Sequence, residues 1–252
     1  MTGLTLVRAG HTEVITKLFE APMSRFPLMI PLAFTGLVLG AVALTAGVGR
    51  SDPAPMPAET ARVIQDLPAG AWRLDRAHGS LIFRVDHLGF SNYTARFTRW
   101  DATLNLDPRN PGAASLVAEV DATSIETDYP DPATLDFNAT LRGETWLDTA
   151  RHPKMIFRST KVTLTGPRTA TITGDLTLRG VTRPVTLEAR FNGGYASNPY
   201  DPGGARTGFS ARGVLNRGDF GIDYGIPAPG TTMGVSNAVE IIIEAEFSLK
   251  AG

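Results

Sequence analysis

Residues 80–88 read SLIFRVDHL, and this stretch decides the class of fold. Apolar side chains occupy positions 81, 83 and 85, and the charged Arg84 and Asp86 follow the second and third of them. Because side chains alternate between the two faces of a strand, this period of two is typical of a β-strand with one buried face and one face in water. The stretch therefore predicts a strand rather than a helix.

The same period of two recurs along the rest of the chain. It is visible in residues 103–106, 116–121, 155–159, 162–165, 171–178, 185–191, 209–215 and 239–249. Turn sequences rich in glycine, proline and asparagine separate these segments, as in residues 107–112 and 192–194. Many short strands with such spacing predict an all-β fold, either a sandwich or a closed antiparallel barrel of about eight strands. A barrel of that size has room for packed side chains or for one small ligand.

One segment interrupts the strand pattern. Asp131 is followed by Pro132, and this pair is typical of a helix N-cap with proline at the first helical position. We predict a short helical insertion that begins there and ends near Arg142. The predicted fold is therefore a set of strands with one helix between them.

The composition excludes several classes of protein. The 252 residues include no cysteine, so disulfide scaffolds, thiolate metal sites and cysteine nucleophiles are impossible. The formal net charge of −1 argues against a nucleic-acid partner, since such proteins usually carry a basic excess or patch. The hydrophobic fraction of 42% is too high for a disordered chain.

Residues 1–50 are interpreted as a leader rather than as part of the globular domain. Residues 26–49 form an uncharged, apolar run between Arg25 and Arg50, which is long enough to cross a bilayer as a helix. The run is either a cleaved signal peptide or a retained membrane anchor, and both indicate export. Residues 51–70 carry four prolines and are predicted to be an extended spacer. The barrel domain is predicted to occupy residues 71–252.

The search for catalytic and metal-binding motifs is negative. The sequence contains no G-x-S-x-G nucleophile motif, no phosphate-binding loop and no dinucleotide-binding glycine motif. The histidines beyond the leader, His78, His87 and His152, do not have the spacing of a zinc site. We therefore predict no catalytic residues, no metal and no other cofactor.

A set of short segments, in order and with consistent spacing, resembles the YceI-like, polyisoprenoid-binding family. The resemblance rests on residues 72–75, His78, Ser80, Phe83, His87, Phe97, 124–127, 146–148, Pro153, 157–159, 174–182, 208–209 and 216–221. It implies an extended, lipocalin-like antiparallel barrel with a helix-bearing insertion. The sequence departs from the family at one place. Residues 137–143 lack the Arg-Asp pair that the family usually carries there, although Arg142 is present.

The resemblance also implies a function. Members of the family are exported bacterial proteins whose apolar tunnel holds a long amphiphile, and they are not generally enzymes. We therefore expect a periplasmic protein that binds a polyisoprenoid or an isoprenoid quinone as its ligand. The inner membrane is its expected neighbour through residues 26–49, and a homodimer is its expected assembly.

Two alternatives to simple carriage stay open. The first is an accessory subunit that presents quinone to a membrane b-type cytochrome. The second is a hydrolase or isomerase that uses His87 with a carboxylate such as Asp86 or Asp148. Strand alternation weakens the pair with Asp86, because adjacent residues of a strand point to opposite faces.

Three residues of the opening strand are candidates for the ligand site. Phe83, Val85 and His87 share one face, and the phenylalanine predicts that this face is buried. A buried His87 is interpreted either as a core histidine hydrogen-bonded to protein groups or as a donor to a ligand carbonyl or phosphate.

Three further candidates lie in the middle of the chain. Arg142 is expected either to attract an anionic head group or to cap helix carbonyls. Trp146 and Phe157 are expected in the wall of the cavity. Arg217 and Asp219, by contrast, are expected to contact each other and to fix a strand bend rather than to touch a ligand.

Overall fold

A computed structural model describes residues 66–201 and 203–249. The leader expected over 1–50, with its apolar run 26–49, and residues 51–65 of the spacer expected over 51–70 lie outside the described residues. Within the described ranges, no helix has the length and apolar character that a membrane crossing requires.

Eleven strands and one α-helix make up the described chain. The strands are β1 (Gly70–Leu74), β2 (Ser80–His87), β3 (Ser91–Phe97), β4 (Trp100–Leu106), β5 (Ser115–Asp121), β6 (Ile125–Glu126), β7 (Lys154–Gly166), β8 (Thr169–Leu178), β9 (Val181–Tyr195), β10 (Ala205–Asn216) and β11 (Val235–Leu249). Helix α1 spans Phe137–Arg142. Short 3₁₀ turns occupy Pro111–Ala113, Ala122–Ser124 and Arg217–Phe220.

The strands form one antiparallel sheet that closes on itself. Eight of them follow each other in the order β1-β4-β5-β7-β8-β9-β10-β11, and β11 pairs with β1 to complete the ring. Closure removes the exposed edges that an open sheet would present. The predicted all-β, lipocalin-like barrel of about eight strands with a short helical insertion is thereby confirmed, and the alternative of a sandwich is wrong.

The remaining three strands lengthen the barrel wall on one side. One edge of β11 pairs first with β2, where Phe83 lies opposite Ile241, and then with β1, where Leu74 lies opposite Phe247. β3 pairs with β2, and β6 pairs with β3. Thus β1 and β2 act as two halves of one long strand, separated by the turn at residues 75–79.

Helix α1 is shorter than the sequence predicts. It begins at Phe137 rather than beside Asp131, and its N-cap is Asp136, whose carboxylate accepts a hydrogen bond from the Ala139 amide at 2.7 Å. Asp131 instead accepts the amide of Thr134 at 3.3 Å and holds a separate turn. An aspartate followed by proline therefore starts a turn here, and the next aspartate caps the helix. The predicted end near Arg142 is correct.

The buried apolar side chains form two clusters inside the barrel. One contains Trp72, Phe191 and Phe247 near the β1 end, and the other contains Phe157 and Phe220. Each cluster draws residues from several strands, so the barrel is held together by inward-facing side chains as well as by strand pairing. The space between and beside these clusters is not filled by protein.

Candidate ligand-binding cavity

A cavity of about 740 Å³ runs through the interior of the barrel. This volume lies in the usual range for pockets that hold small molecules. Its wall is built from side chains of strands on all sides of the ring. The aromatic members of the wall are Phe83, Tyr93, Phe97, Trp100, Tyr129, Phe137, Trp146, Phe157, Phe191, Phe209 and Phe247.

The alternation of the strands creates this wall. In β11, Val239, Ile241, Ile243 and Ala245 line the cavity, whereas Glu240, Ile242 and Glu244 between them do not. In β10, Phe209 and Ala211 line it in the same way. Since successive side chains of a strand point to opposite faces, the apolar set of each strand faces inward.

The cavity is long as well as apolar. Its lining extends from Tyr129 and Phe137 beside helix α1 to residues 166–170 at the turn between β7 and β8. The residues of β8 that line it run from Thr169 to Leu178, and these ten residues correspond to about 30 Å of extended chain. An elongated molecule fits this shape better than a compact one does.

Helix α1 shapes one end of the cavity. Phe137 packs edge-on against Tyr93, with ring centroids 5.7 Å apart, and also against Tyr129 at 5.6 Å. The side-chain amide of Asn138 ties the helix to β6 and to the residue that follows it. Its Nδ2 donates to Glu126 Oε1 at 3.0 Å, and its Oδ1 accepts the Thr127 amide at 2.9 Å and the Thr127 hydroxyl at 2.6 Å. The insertion therefore presents aromatic side chains to the interior.

The lining has few groups that could perform acid–base chemistry. Among the described residues, its ionisable side chains are His87, Tyr93, Tyr129, Arg168 and Arg217, and none is an aspartate or a glutamate. Among the described residues, the histidines that form ion pairs are His78 and His152, not His87. The arrangement can enclose an apolar molecule and offers it a small number of cationic and hydroxyl groups.

Five of the six predicted site residues line the cavity, namely Phe83, Val85, His87, Trp146 and Phe157. Phe83 packs against Phe97 with a centroid distance of 5.6 Å, and Val85, Trp146 and Phe157 also line the cavity. Phe157 is among the most buried of the set.

His87 also lines the cavity, but the expectation that it is buried is wrong. Its side chain is exposed at the last residue of β2, where the chain turns through Leu88 with a φ of 60°. The strand pattern gives the face on which His87 lies, but it does not show that the barrel ends there. His87 therefore stands at a rim rather than in a core.

Arg142 lies apart from the cavity wall. Its Nη2 is 3.8 Å from Oδ2 of Asp136, the residue that caps the same helix. Asp148, which was considered as a partner of His87, is buried and lies 2.6 Å from Nε of Arg151. Neither side chain is among those that line the cavity.

Arg217 is a lining residue that sequence reasoning assigned to another role. The expected contact with Asp219 is not formed, since Asp219 is exposed and Arg217 is buried, donating its hydrogen bonds to backbone carbonyls. Its guanidinium carbon lies 5.4 Å from the ring centroid of Trp146. The signal that could have found it is an arginine that directly follows an alternating strand and precedes a glycine-rich turn.

Comparison with known proteins places the chain in a family. Residues 72–247 match the sequence model of the YceI-like domain. The chain belongs to the YceI-like family. It is 36% identical over 181 residues to protein YceI of Escherichia coli O157:H7, which covers 71% of this chain and 86% of that protein. The resemblance read from the sequence is thereby confirmed.

Two solved structures share the fold. BcnA of Burkholderia cenocepacia superposes with a TM-score of 0.57 at 21% identity, covering 69% of this chain and 98% of that one. A polyisoprenoid-binding domain of Saccharophagus degradans superposes with a TM-score of 0.50 at 14% identity, covering 72% and 99%. At these identities the likeness shows the fold alone.

Proposed function

We propose that this YceI-like protein binds the apolar chain of a long amphiphile, a polyisoprenoid or an isoprenoid quinone, inside its barrel. The observation that carries the proposal is the long cavity of about 740 Å³ with an aliphatic and aromatic wall. Each methylene group transferred from water into such a wall contributes about 0.8 kcal/mol. A long hydrocarbon chain can therefore bind tightly without any covalent chemistry. The neighbour from S. degradans, described as polyisoprenoid-binding, supports the same class of ligand.

Binding without turnover is the form of this function that the wall supports best. A hydrolase or isomerase built on His87 would need a carboxylate beside the histidine to orient it. The lining contains no carboxylate, and His87 forms no ion pair with a carboxylate of the described residues. A carrier needs neither feature.

We assign this carrier to the periplasm, beside the inner membrane. The support is the apolar run of residues 26–49 between Arg25 and Arg50, which is typical of an export signal or an anchor. A membrane is the natural source of an isoprenoid chain. The assignment can be checked by fractionating cells that produce the full chain and by determining its mature amino terminus.

Native mass spectrometry tests the ligand. The protein is purified from its own cell envelope without added lipid, and we expect a stoichiometric adduct that lipid extraction identifies as a long-chain amphiphile. An empty barrel that also fails to take up added farnesol or menaquinone would contradict the proposal.

A pair of adjacent substitutions tests the location of the ligand. Ala211 of β10 lines the cavity, whereas Arg212 is exposed on the outside of the same strand. Ala211→Trp places a large side chain in the cavity and should weaken binding of farnesol by about tenfold or more. Arg212→Trp should leave the affinity within about twofold. Equal affinities of the two variants would show that the chain binds elsewhere.

A further inference from the structure

Three segments of the chain border the end of the cavity beside helix α1, and we call them the collar. They are residues 86–91, 127–136 and 218–234. Each contributes one side chain or more to the cavity wall, as shown by His87, Tyr129 and Ile222. The first and third segments are in contact, since the Leu88 amide donates to the Gly234 carbonyl at 2.9 Å.

The collar exposes large apolar side chains to solvent. Phe90 is 82% exposed, Met233 64% and Tyr224 59%, and Leu135 is exposed as well. None of the four lines the cavity, so the apolar wall of the barrel does not account for them. Single exposed apolar residues are common on soluble proteins, but several that border one opening indicate an interaction surface.

The charges of the collar are of one sign. Its three segments contain no lysine or arginine, and they carry six aspartates, namely Asp86, Asp128, Asp131, Asp136, Asp219 and Asp223. The turns at the opposite end of the barrel, residues 107–114, 167–168 and 196–201, carry two aspartates and two arginines. The excess of carboxylates is therefore confined to one end of the cavity.

Neighbouring cations neutralise only part of this charge. Nη1 of Arg96 lies 2.6 Å from Oδ2 of Asp128, and Nη2 of Arg142 lies 3.8 Å from Oδ2 of Asp136. Arg179 donates to backbone carbonyls instead. The other four aspartates of the collar form no ion pair within the described part of the chain. Carboxylates grouped in this way create a negative potential around the cavity end.

We propose that the collar is a docking surface for a partner protein whose own face carries lysine or arginine around apolar side chains. The opposite charges steer that face to the cavity end, and contact then buries Phe90, Met233 and Tyr224. The proposal rests on the proposed function only in naming what passes between the two proteins, which is the amphiphile.

A phospholipid bilayer is the competing occupant of the collar. Protein surfaces that lie on membranes combine apolar side chains with lysine and arginine, because the charge of anionic lipids attracts these cations. The collar combines its apolar side chains with aspartates, which anionic lipids repel. A cationic protein face therefore fits the collar better than a bilayer does.

Two amphipathic peptides of about 18 residues probe the collar, one made of leucine and lysine and the other of leucine and glutamate. Fluorescence anisotropy of labelled peptide measures binding to the protein purified from its own cell envelope. We expect the lysine peptide to bind about tenfold or more tightly, and to lose about fivefold or more in affinity between about 50 mM and about 300 mM NaCl. Equal affinities for the two peptides would overturn the proposal.

Farnesol binding, measured on the same samples, separates this proposal from the proposed function. Failure to bind farnesol would contradict the carrier. Failure to bind the lysine peptide, with farnesol bound normally, would contradict the docking surface alone.

Matched substitutions locate the effect. Phe90→Ser should weaken binding of the lysine peptide by about fivefold or more and leave farnesol affinity within about twofold, since Phe90 is not part of the wall. Tyr200→Ser removes a side chain that is 94% exposed between β9 and β10, and it should change neither affinity. Asp219→Lys should weaken peptide binding by about fivefold, whereas Asp175→Lys on the outer face of β8 should leave it within about twofold. Equal losses within either pair would overturn the proposal.

Vesicles of about 70% phosphatidylethanolamine and about 30% phosphatidylglycerol test the competing occupant. We expect Phe90→Ser to co-sediment with them to the same extent as the wild type. A loss of co-sedimentation in Phe90→Ser but not in Tyr200→Ser would assign the collar to the bilayer and overturn the proposal.

Discussion

Arg206 donates a hydrogen bond from Nη1 to Oδ2 of Asp75 over 2.6 Å, although 131 positions separate the two residues in the sequence. Arg206 lies in β10, and Asp75 begins the turn between β1 and β2. His78 also contacts the Asp75 carboxylate, at 3.0 Å, and Nε of Arg206 donates to Asp201. This network fixes the point at which the long β1–β2 strand is interrupted.

The network makes the fold sensitive to acid. The hydrogen bond from His78, and then that from Arg206, lower the pKa of Asp75 to about 2. A carboxyl whose pKa is lowered on folding stabilises the protein above its unfolded pKa, near 3.9, and this contribution disappears as the pH falls toward 2. Asp75→Asn should lower the free energy of unfolding at pH 7 by about 1–2 kcal/mol. Urea unfolding at pH 7 and pH 3 measures both effects.

A matched control is available for this substitution. Asp175 is exposed on β8, and its carboxylate forms no hydrogen bond or ion pair within the described residues. Asp175→Asn should change stability by no more than about 0.5 kcal/mol. A loss in Asp175→Asn as large as that in Asp75→Asn would mean that total charge, not the network, sets the acid response.

His78 should report the same network from its other side. Its hydrogen bond to Asp75 raises its pKa above 6.5, with further contributions from the charges of Asp75 and Glu246. A raised pKa of this kind stabilises the fold below pH 6.5, and the stabilisation is lost as the pH rises through the folded value. An NMR titration of the His78 ring should give a pKa above 6.5 in the wild type and a lower one in Asp75→Asn. A wild-type value at or below 6.5 would refute the assignment.

Much of the fold could be predicted from the sequence because the alternation of apolar and polar residues along each strand determines which side chains face the interior of the barrel. Every second residue of β10 and β11 faces the interior, so alternation alone separates Ile241 from Glu240. The interruption of the β1–β2 strand could not be predicted in this way. The interruption depends on the hydrogen bond between Asp75 and Arg206. A contact between residues so far apart in the sequence cannot be recognised from the few residues around either one.

The part of the candidate site that lies on strands was also predictable from the alternation of apolar and polar residues. Phe83 and Phe157 belong to strands, and their apolar character places them on the inner face. The contacts of Arg217 were not predictable, because its partners are backbone carbonyls of residues 222–236 and no residue type marks them. The sequence offers only its place directly after an alternating strand and before a glycine-rich turn. For His87 the sequence predicts the correct face of β2, but it does not predict that the strand ends at this residue and leaves the side chain exposed.

Gly174 tests the packing of the cavity wall. A Cβ at this position would lie 2.4 Å from Cζ of Phe157 and 2.5 Å from the Arg158 carbonyl oxygen, which is closer than atoms can approach. Gly174→Ala should therefore displace the phenylalanine and destabilise the protein by about 1–3 kcal/mol. Because Phe157 lines the cavity, farnesol binding should weaken as well. Urea unfolding and fluorescence titration measure the two effects.

Gly112 provides the comparison for Gly174. A Cβ added there would meet no atom within 4 Å. Gly112→Ala should thus be neutral or slightly stabilising, since alanine restricts the unfolded chain more than glycine does. If both variants lost equal stability, steric contact with Phe157 could not be the cause.

Asp136 tests whether the cap of helix α1 or its ion pair holds the insertion. The Asp136 carboxylate accepts the Ala139 amide at 2.7 Å, whereas Nη2 of Arg142 lies 3.8 Å away from it on a largely exposed surface. Removing an N-cap costs about 1 kcal/mol, and an exposed ion pair at that distance contributes little. Asp136→Ala should therefore lose about 1 kcal/mol in urea unfolding.

Asp136→Asn separates the two contributions. Asparagine keeps the capping oxygen but removes the charge, and it is about as good an N-cap as aspartate. We expect its stability to stay within about 0.5 kcal/mol of the wild type, and Phe137 to keep its place against Tyr93 at the cavity end. A loss in Asp136→Asn equal to that in Asp136→Ala would assign the effect to the charge of Arg142. The stability of helix α1 would then depend on the ion pair between Asp136 and Arg142.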